Sequence, residues 1–146
     1  MARELNRRAG LAVVVVGGPQ DAARGAIVAL AAGGDAVDLT GKGGLVHLAA
    51  ALKRAALLVT NDSGPMHLAV AVGTPTMAVF GPTHPALTGP YDGSSAVARR
   101  ELDCAPCFSR RCPRDHECMT GVTPDEVVET CLRLLAPARA EGAARG

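Results

Sequence analysis

Apolar residues fall along this chain in short unbroken runs at Leu11–Val16 and Leu57–Val59, with further strand-like segments at Val37–Leu39 and Thr76–Phe80. Runs of this length, without the alternation of a half-exposed strand, predict strands covered on both faces, as in a parallel sheet. Between them lie helical stretches. Residues 20–32, 45–54 and 65–72 predict helices, the second apolar at Leu45, Leu48, Ala49 and Leu52. ARELNRR at the start reads as a helix tail ended by Gly10. Gly17-Gly18-Pro19, Gly33-Gly34 and Thr40–Gly44 are turns. This β-α-β alternation predicts an α/β fold, a Rossmann-like parallel sheet flanked by helices with right-handed crossovers.

After Phe80 the pattern changes. GPTHPALTGPYDGSS is rich in proline and glycine and predicts an ordered surface loop, with a short edge strand at Ala96–Ala98. Residues 100–120 form a cysteine-bearing irregular loop. Thr123-Pro124-Asp125-Glu126 opens a last helix with a capping-box-like start, extending to Leu135. By length, residues 1–136 predict a single domain, and the Ala-, Arg- and Gly-rich tail 137–146 a disordered end.

Composition narrows the class. With no Trp, one Tyr and two Phe, the core must be built from Val, Leu, Ala and Ile. Fifteen basic residues against fourteen acidic ones give a net charge of +1, without the surplus expected of a nucleic-acid binder. Stacking aromatics for single strands are also lacking. No apolar run approaches the ~20 residues of a transmembrane helix. Arg7 and Arg8 precede LAVVVV as in a signal peptide, but the run is short and Gly-Gly-Pro follows it. A cytoplasmic protein is expected.

Candidate chemistry concentrates between Val59 and Phe80, in VTNDSGPMHLAVAVGTPTMAVF. A buried strand ends in a polar turn that opens a short apolar helix. Ser63 or Asp62 is placed to cap that helix, and Pro65 suits its first turn. The free N–H groups and partial positive charge of the helix start suit a phosphate. Ser63 and His67, four apart, face the same way toward it. A ligand site at the carboxyl end of a parallel strand is the expectation.

The full string NDSGPMHLAVAVGTPTMAVFGPTHP resembles the signature of glycosyltransferase family 9, the ADP-heptose:lipopolysaccharide heptosyltransferases. The DSGPMH block, the GTP turn and the FGPTHP block keep the family's order and spacing, and CAPCFSRRCPRDHECM is similar to a segment of many members. The resemblance runs from about Leu11 to Leu135. It implies a GT-B enzyme of two Rossmann-like halves, of which this chain matches only the carboxyl, nucleotide-sugar-binding half. The amino half would supply the lipid-linked saccharide acceptor site and a catalytic carboxylate base, and no residue here is matched to that base or to the family's basic diphosphate ligand. The resemblance therefore implies a donor-binding portion of a lipopolysaccharide-core transferase, incomplete as a catalyst alone, working at the inner face of the cytoplasmic membrane.

Carried onto this sequence, the resemblance makes Asp62 a sugar contact, with pure helix capping as its alternative. Ser63, Gly64 and His67 would hold the diphosphate. Gly17, Gly18 and Asp21 end the first strand, where an acid binds ribose hydroxyls in dinucleotide folds or is simply solvated. Thr40, Gly41 and Lys42 would frame adenine or its ribose; a lone Gly-Lys is no P-loop. Gly81 and Thr83 would line the cleft. No cofactor is required. Cys104, Cys107, Cys112 and Cys118, spaced C-x2-C-x4-C-x5-C with His116 nearby, fit either a structural Zn²⁺ or reduced loop thiols. Cys131 reads as a small core residue. Two other classes compete: a non-enzymatic, zinc-stabilised nucleotide-binding or interaction domain, and a relative of the sugar-nucleotide 2-epimerases. The epimerases follow Asp-Ser-Gly with Gly-Gly and a Glu, where this chain has Pro65-Met66-His67.

Overall fold

Strand pairing divides the chain. In the computed structural model, which describes residues 1–34 and 36–143, the strands form two parallel sheets rather than one. Strand β1 (Val14–Val15) pairs with β2 (Val37–Asp38); β3 (Leu58–Asn61), β4 (Thr76–Val79) and β5 (Ala96–Ala98) form the second sheet in that order. Where length suggests one domain, the chain packs as two compact units, Met1–Ala50 and the residues from Ala51 onward.

In the first unit, helix α1 (Ala2–Ala9) ends at Gly10, whose φ of 65° lets its N–H reach Asn6 O. Helix α2 (Ala22–Ala32) follows a 3₁₀ turn at Pro19–Asp21, and α3 (Leu45–Arg54) begins here. Among the described residues of this unit, only Ala9 and Ala32 are buried apolar side chains. The expectation that Leu11–Val16 would be covered on both faces is not met. The strand is two residues long, and Val14 and Val37 remain 49% and 48% exposed, because β1 has β2 as its only strand neighbour. Leu45, counted on the apolar face of its helix, is also exposed.

The second unit holds the core. Thr76, Met77 and Ala78 on β4 are all fully buried, and successive strand residues point to opposite faces, so both faces are covered. Ala78 and Phe80 share one face with Met66 of helix α4 (Gly64–Ala71). The other face falls to α7 (Pro124–Ala143), which packs on β4 and β5 with Val127, Val128, Cys131 and Leu135 buried. Two buried threonines of this unit find partners: Thr74 Oγ1 donates to Leu52 O at 2.7 Å and Thr76 Oγ1 to Thr74 O at 3.0 Å.

Two helices appear where loops were expected: α5 (Pro85–Thr88) and α6 (Glu117–Thr120). In α5 the His84 Nδ1 accepts from Ala86 N at 3.1 Å, a cap that a proline- and glycine-counting rule does not register. Helix α7 runs to Ala143, past Leu135, since the segment is rich in helix-forming Ala, Arg and Glu. Residues 144–146 of the expected tail lie outside the described residues. No described helix is long and apolar enough to cross a membrane.

Arg100 pins α7 to the end of β5. Its Nε donates to Gly121 O at 2.8 Å, its Nη1 to Glu126 Oε1 at 2.9 Å, and its Nη2 pairs with Glu126 Oε2. The guanidinium bonds hold the Glu126 carboxyl below its ordinary value. A lowered folded-state value stabilises above the unfolded one and is lost as pH falls. Glu126→Gln is therefore expected to flatten the acid limb of Tm against pH below about pH 5, seen by calorimetry. Phe80→Ala, which empties a fully buried site, should cost about 3–5 kcal/mol in urea unfolding.

Candidate functional site

In the second unit, the residues of the Asp-Ser-Gly turn gather where β3 ends and α4 begins. Ser63 stands at the N-cap in extended conformation (φ −162°, ψ 163°), but its side chain caps nothing. Its Oγ lies 3.0 Å from Thr60 Oγ1 instead. The Asp62 carboxylate does not cap either: its Oδ2 accepts from Thr88 Oγ1 at 2.8 Å, across 26 residues of chain. Both expected caps are thus engaged elsewhere, and the start of α4 keeps its outward N–H groups for other partners. Pro65 has no N–H to offer and Met66 N is taken by Ser63 O at 3.1 Å, so Gly64 and His67 stand foremost. Gly64 and the His67 side chain are exposed; Asp62 and Ser63 are half-buried. An open helix start beside a carboxylate and an imidazole can bind an anionic group and accept from hydroxyls beside it.

The Gly-Pro-Thr segment after β4 lies close by in the chain but differs in role. Gly81 is buried, and a Cβ there would run into Met119 and approach Cys118 Sγ to 3.3 Å. Its smallness lets α6 close against the strand end. The Thr83 Oγ1 is buried with no hydrogen-bond partner among the described residues. Phe108 N donates to Pro82 O at 2.8 Å, tying the cysteine loop to this segment.

In the first unit, Gly17, Asp21 and Thr40 come together. A Cβ on Gly17 would meet Asp21 Cβ at 3.2 Å and Thr40 Cγ2 at 3.3 Å. Gly41 N donates to Gly17 O at 2.9 Å, and Gly41 itself has a φ of 72° that favours glycine. Asp21 is not simply solvated: Oδ2 accepts from Gly18 N and Gln20 Nε2, each at 3.2 Å, closing the 3₁₀ turn. Lys42 gives its ammonium to Asp38 O at 2.8 Å. Asp38 went unnoticed in the sequence, yet its Oδ1 accepts from Thr40 N at 2.8 Å. Hydrogen bonds from Thr40 hold its carboxyl below the ordinary value. The signal was present as an Asp two residues before a Thr, the spacing of an Asx turn. Thr88 and Thr60 were missed too, because nothing local marks a threonine that reaches another segment.

The five cysteines are free. Among the described residues no three His, Cys, Asp or Glu side chains are arranged to hold a metal ion, so the zinc reading gains no geometric support. Cys118 is buried on α6 and Cys107 exposed, while Cys112 Sγ donates to Arg114 O at 2.6 Å. Burial, reinforced by the neighbouring Cys112, pushes the Cys118 thiol up.

This geometry meets independent comparison. A model of glycosyltransferase family 9 (heptosyltransferase) matches residues 1–117. The chain belongs to that family. A lipooligosaccharide heptosyltransferase 2 from Campylobacter jejuni is 41% identical over 81 residues, covering 54% of this chain and 25% of that protein. A family 9 glycosyltransferase from Veillonella parvula superposes with a TM-score of 0.80 at 29% identity, over 93% of this chain and 40% of the other. The E. coli heptosyltransferase WaaC, solved with ADP, superposes at 0.60 and 30% identity, over 68% of this chain and 32% of that one. This family 9 chain thus spans about a quarter of the curated relatives it matches, and its solved neighbours have the GT-B fold.

Thiol chemistry tests the burial pattern. The Cys131 thiol, buried at the centre of α7, is pushed up to about 11 by burial. At pH 8, Ellman's reagent is expected to modify Cys107 in the native protein and Cys131 only after unfolding, as read by mass mapping.

Proposed function

We propose that this chain is the donor-binding portion of a heptosyltransferase, holding a nucleotide-diphosphate sugar of the ADP-heptose type for transfer to a lipid-linked saccharide. The observation that carries this reading is the uncapped start of α4 beside the Asp62 carboxylate. In this reading Gly64 and His67 bind the diphosphate, and the leaving-group charge develops against the helix N–H groups. Asp62 accepts from a sugar hydroxyl. Lys42 serves its own loop and is left out of the ligand set.

The transfer breaks the bond between the anomeric carbon and the diphosphate oxygen and forms one to an acceptor hydroxyl oxygen. The hydroxyl proton goes to a base, and ADP leaves with the bonding electrons. In this reading no carboxylate of these residues is assigned as that base: Asp62 is given to the donor sugar, while Asp21 and Asp38 are tied into their own turns. Base and acceptor site are assigned to polypeptide other than these 146 residues, as the chain's quarter share of its relatives supports. In this reading no metal is invoked: the helix end supplies the positive potential and His67 a hydrogen bond. The setting proposed is the cytoplasm, at the inner membrane face where a lipid-linked acceptor is displayed.

Titration with ADP, followed by ¹H–¹⁵N spectra, tests the assignment. Gly64, Met66 and His67 amides should shift. Shifts confined to other residues, or none at millimolar ADP, would overturn it. His67→Ala should weaken ADP about ten- to hundredfold, the loss of one hydrogen bond to a charged group.

A further inference from the structure

The Asp62–Thr88 bond joins two segments that the donor-site reading treats separately. Asp62 immediately precedes the N-cap of α4, and the cap position offers α4 no side-chain acceptor. An aspartate next to an open helix start is drawn to it, because the N–H groups are unsatisfied and the dipole favours a negative charge. In this protein the carboxylate is instead turned toward the last residue of α5, where Thr88 Oγ1 donates to Oδ2 at 2.8 Å. Its Oδ1 has no hydrogen-bond partner among the described residues.

We propose that Thr88 is a positioning residue that holds the Asp62 carboxylate away from the start of α4, leaving that helix end open to a phosphate and Oδ1 open to a hydroxyl. The inference rests on the donor-site reading above and adds to it the device that keeps one ligand from being displaced by the other. Helix α5 is well placed for this. It is a single turn, fixed at one end by the His84 cap and at the other by Gly89 N donating to Pro85 O at 2.7 Å. A Cβ on Gly89 would contact Pro85 O, so glycine is required for that close turn. Thr88 is thereby presented on a short rigid element rather than a loop, as a positioning group requires.

Freed from Thr88, the carboxylate would compete with any phosphate for α4. The predicted effect is therefore charge-dependent, which separates positioning from mere support. ADP binding is measured by calorimetry for the chain and three variants. Thr88→Ser keeps the hydroxyl and should bind ADP as the parent does. Thr88→Val should weaken ADP about two- to fivefold, the size of one like charge at a helix terminus. Adding Asp62→Ala to Thr88→Val should restore much of the affinity, because the competing carboxylate has gone. Thr88→Ala repeats the test should valine not be accommodated.

A Thr88→Val protein that binds ADP unchanged, or a double variant that is weaker still, would overturn the inference while leaving the donor site standing. A parent chain that binds no ADP would overturn the donor-site reading and this inference with it.

Discussion

The complete burial of β4 is the constraint from which the second unit follows. Thr76, Met77 and Ala78 expose nothing, which is possible only if both sheet faces and both edges are occupied. The edges are taken by β3 and β5 through parallel ladders, the faces by α4 and α7. A parallel neighbour cannot be reached by a tight hairpin, so the chain between β3 and β4 must cross over, and α4 is that crossover. The carboxyl ends of β3 and β4 then emerge at the same end of the sheet. That is why a turn after β3 and a loop after β4, far apart in sequence, come within hydrogen-bonding distance at Asp62 and Thr88.

This packing also explains the economy of the site. An apolar helix start near a sheet gives the chain its anion-binding potential at no cost in buried charge. The side chains beside it in the second unit are short and already paired within the chain: Ser63 with Thr60 and Asp62 with Thr88. Such commitments lower the ordering cost that a ligand must meet. They also separate two meanings of an aspartate at a helix start. The capping reading of Asp62 was reasonable from local sequence, and a single distant hydroxyl decides against it.

The first unit shows the opposite situation. Its strands are two residues long and its side chains are widely exposed, with Leu30 at 82% and Val46 at 80%. An apolar run has no use for burial unless something covers it, and the pairing of β1 with β2 alone leaves that unmet. Even so, the turn geometry around Gly17, Asp21 and Thr40 is well formed, because it depends on local backbone hydrogen bonds and not on a large core.

The strands, helices α1–α4 and α7, the turn after β3 and the family are legible in the amino-acid order alone. These follow from run length, turn residues and a motif of fixed spacing, all of them local along the chain. Helix α5 escaped because His84, not a usual capping residue, starts it. The division of the sheet, the packing role of Gly81 and the partner of Asp62 were decided only by tertiary structure. Each depends on which distant segment arrives at a given atom, and one-dimensional order carries no record of that until the strands have paired.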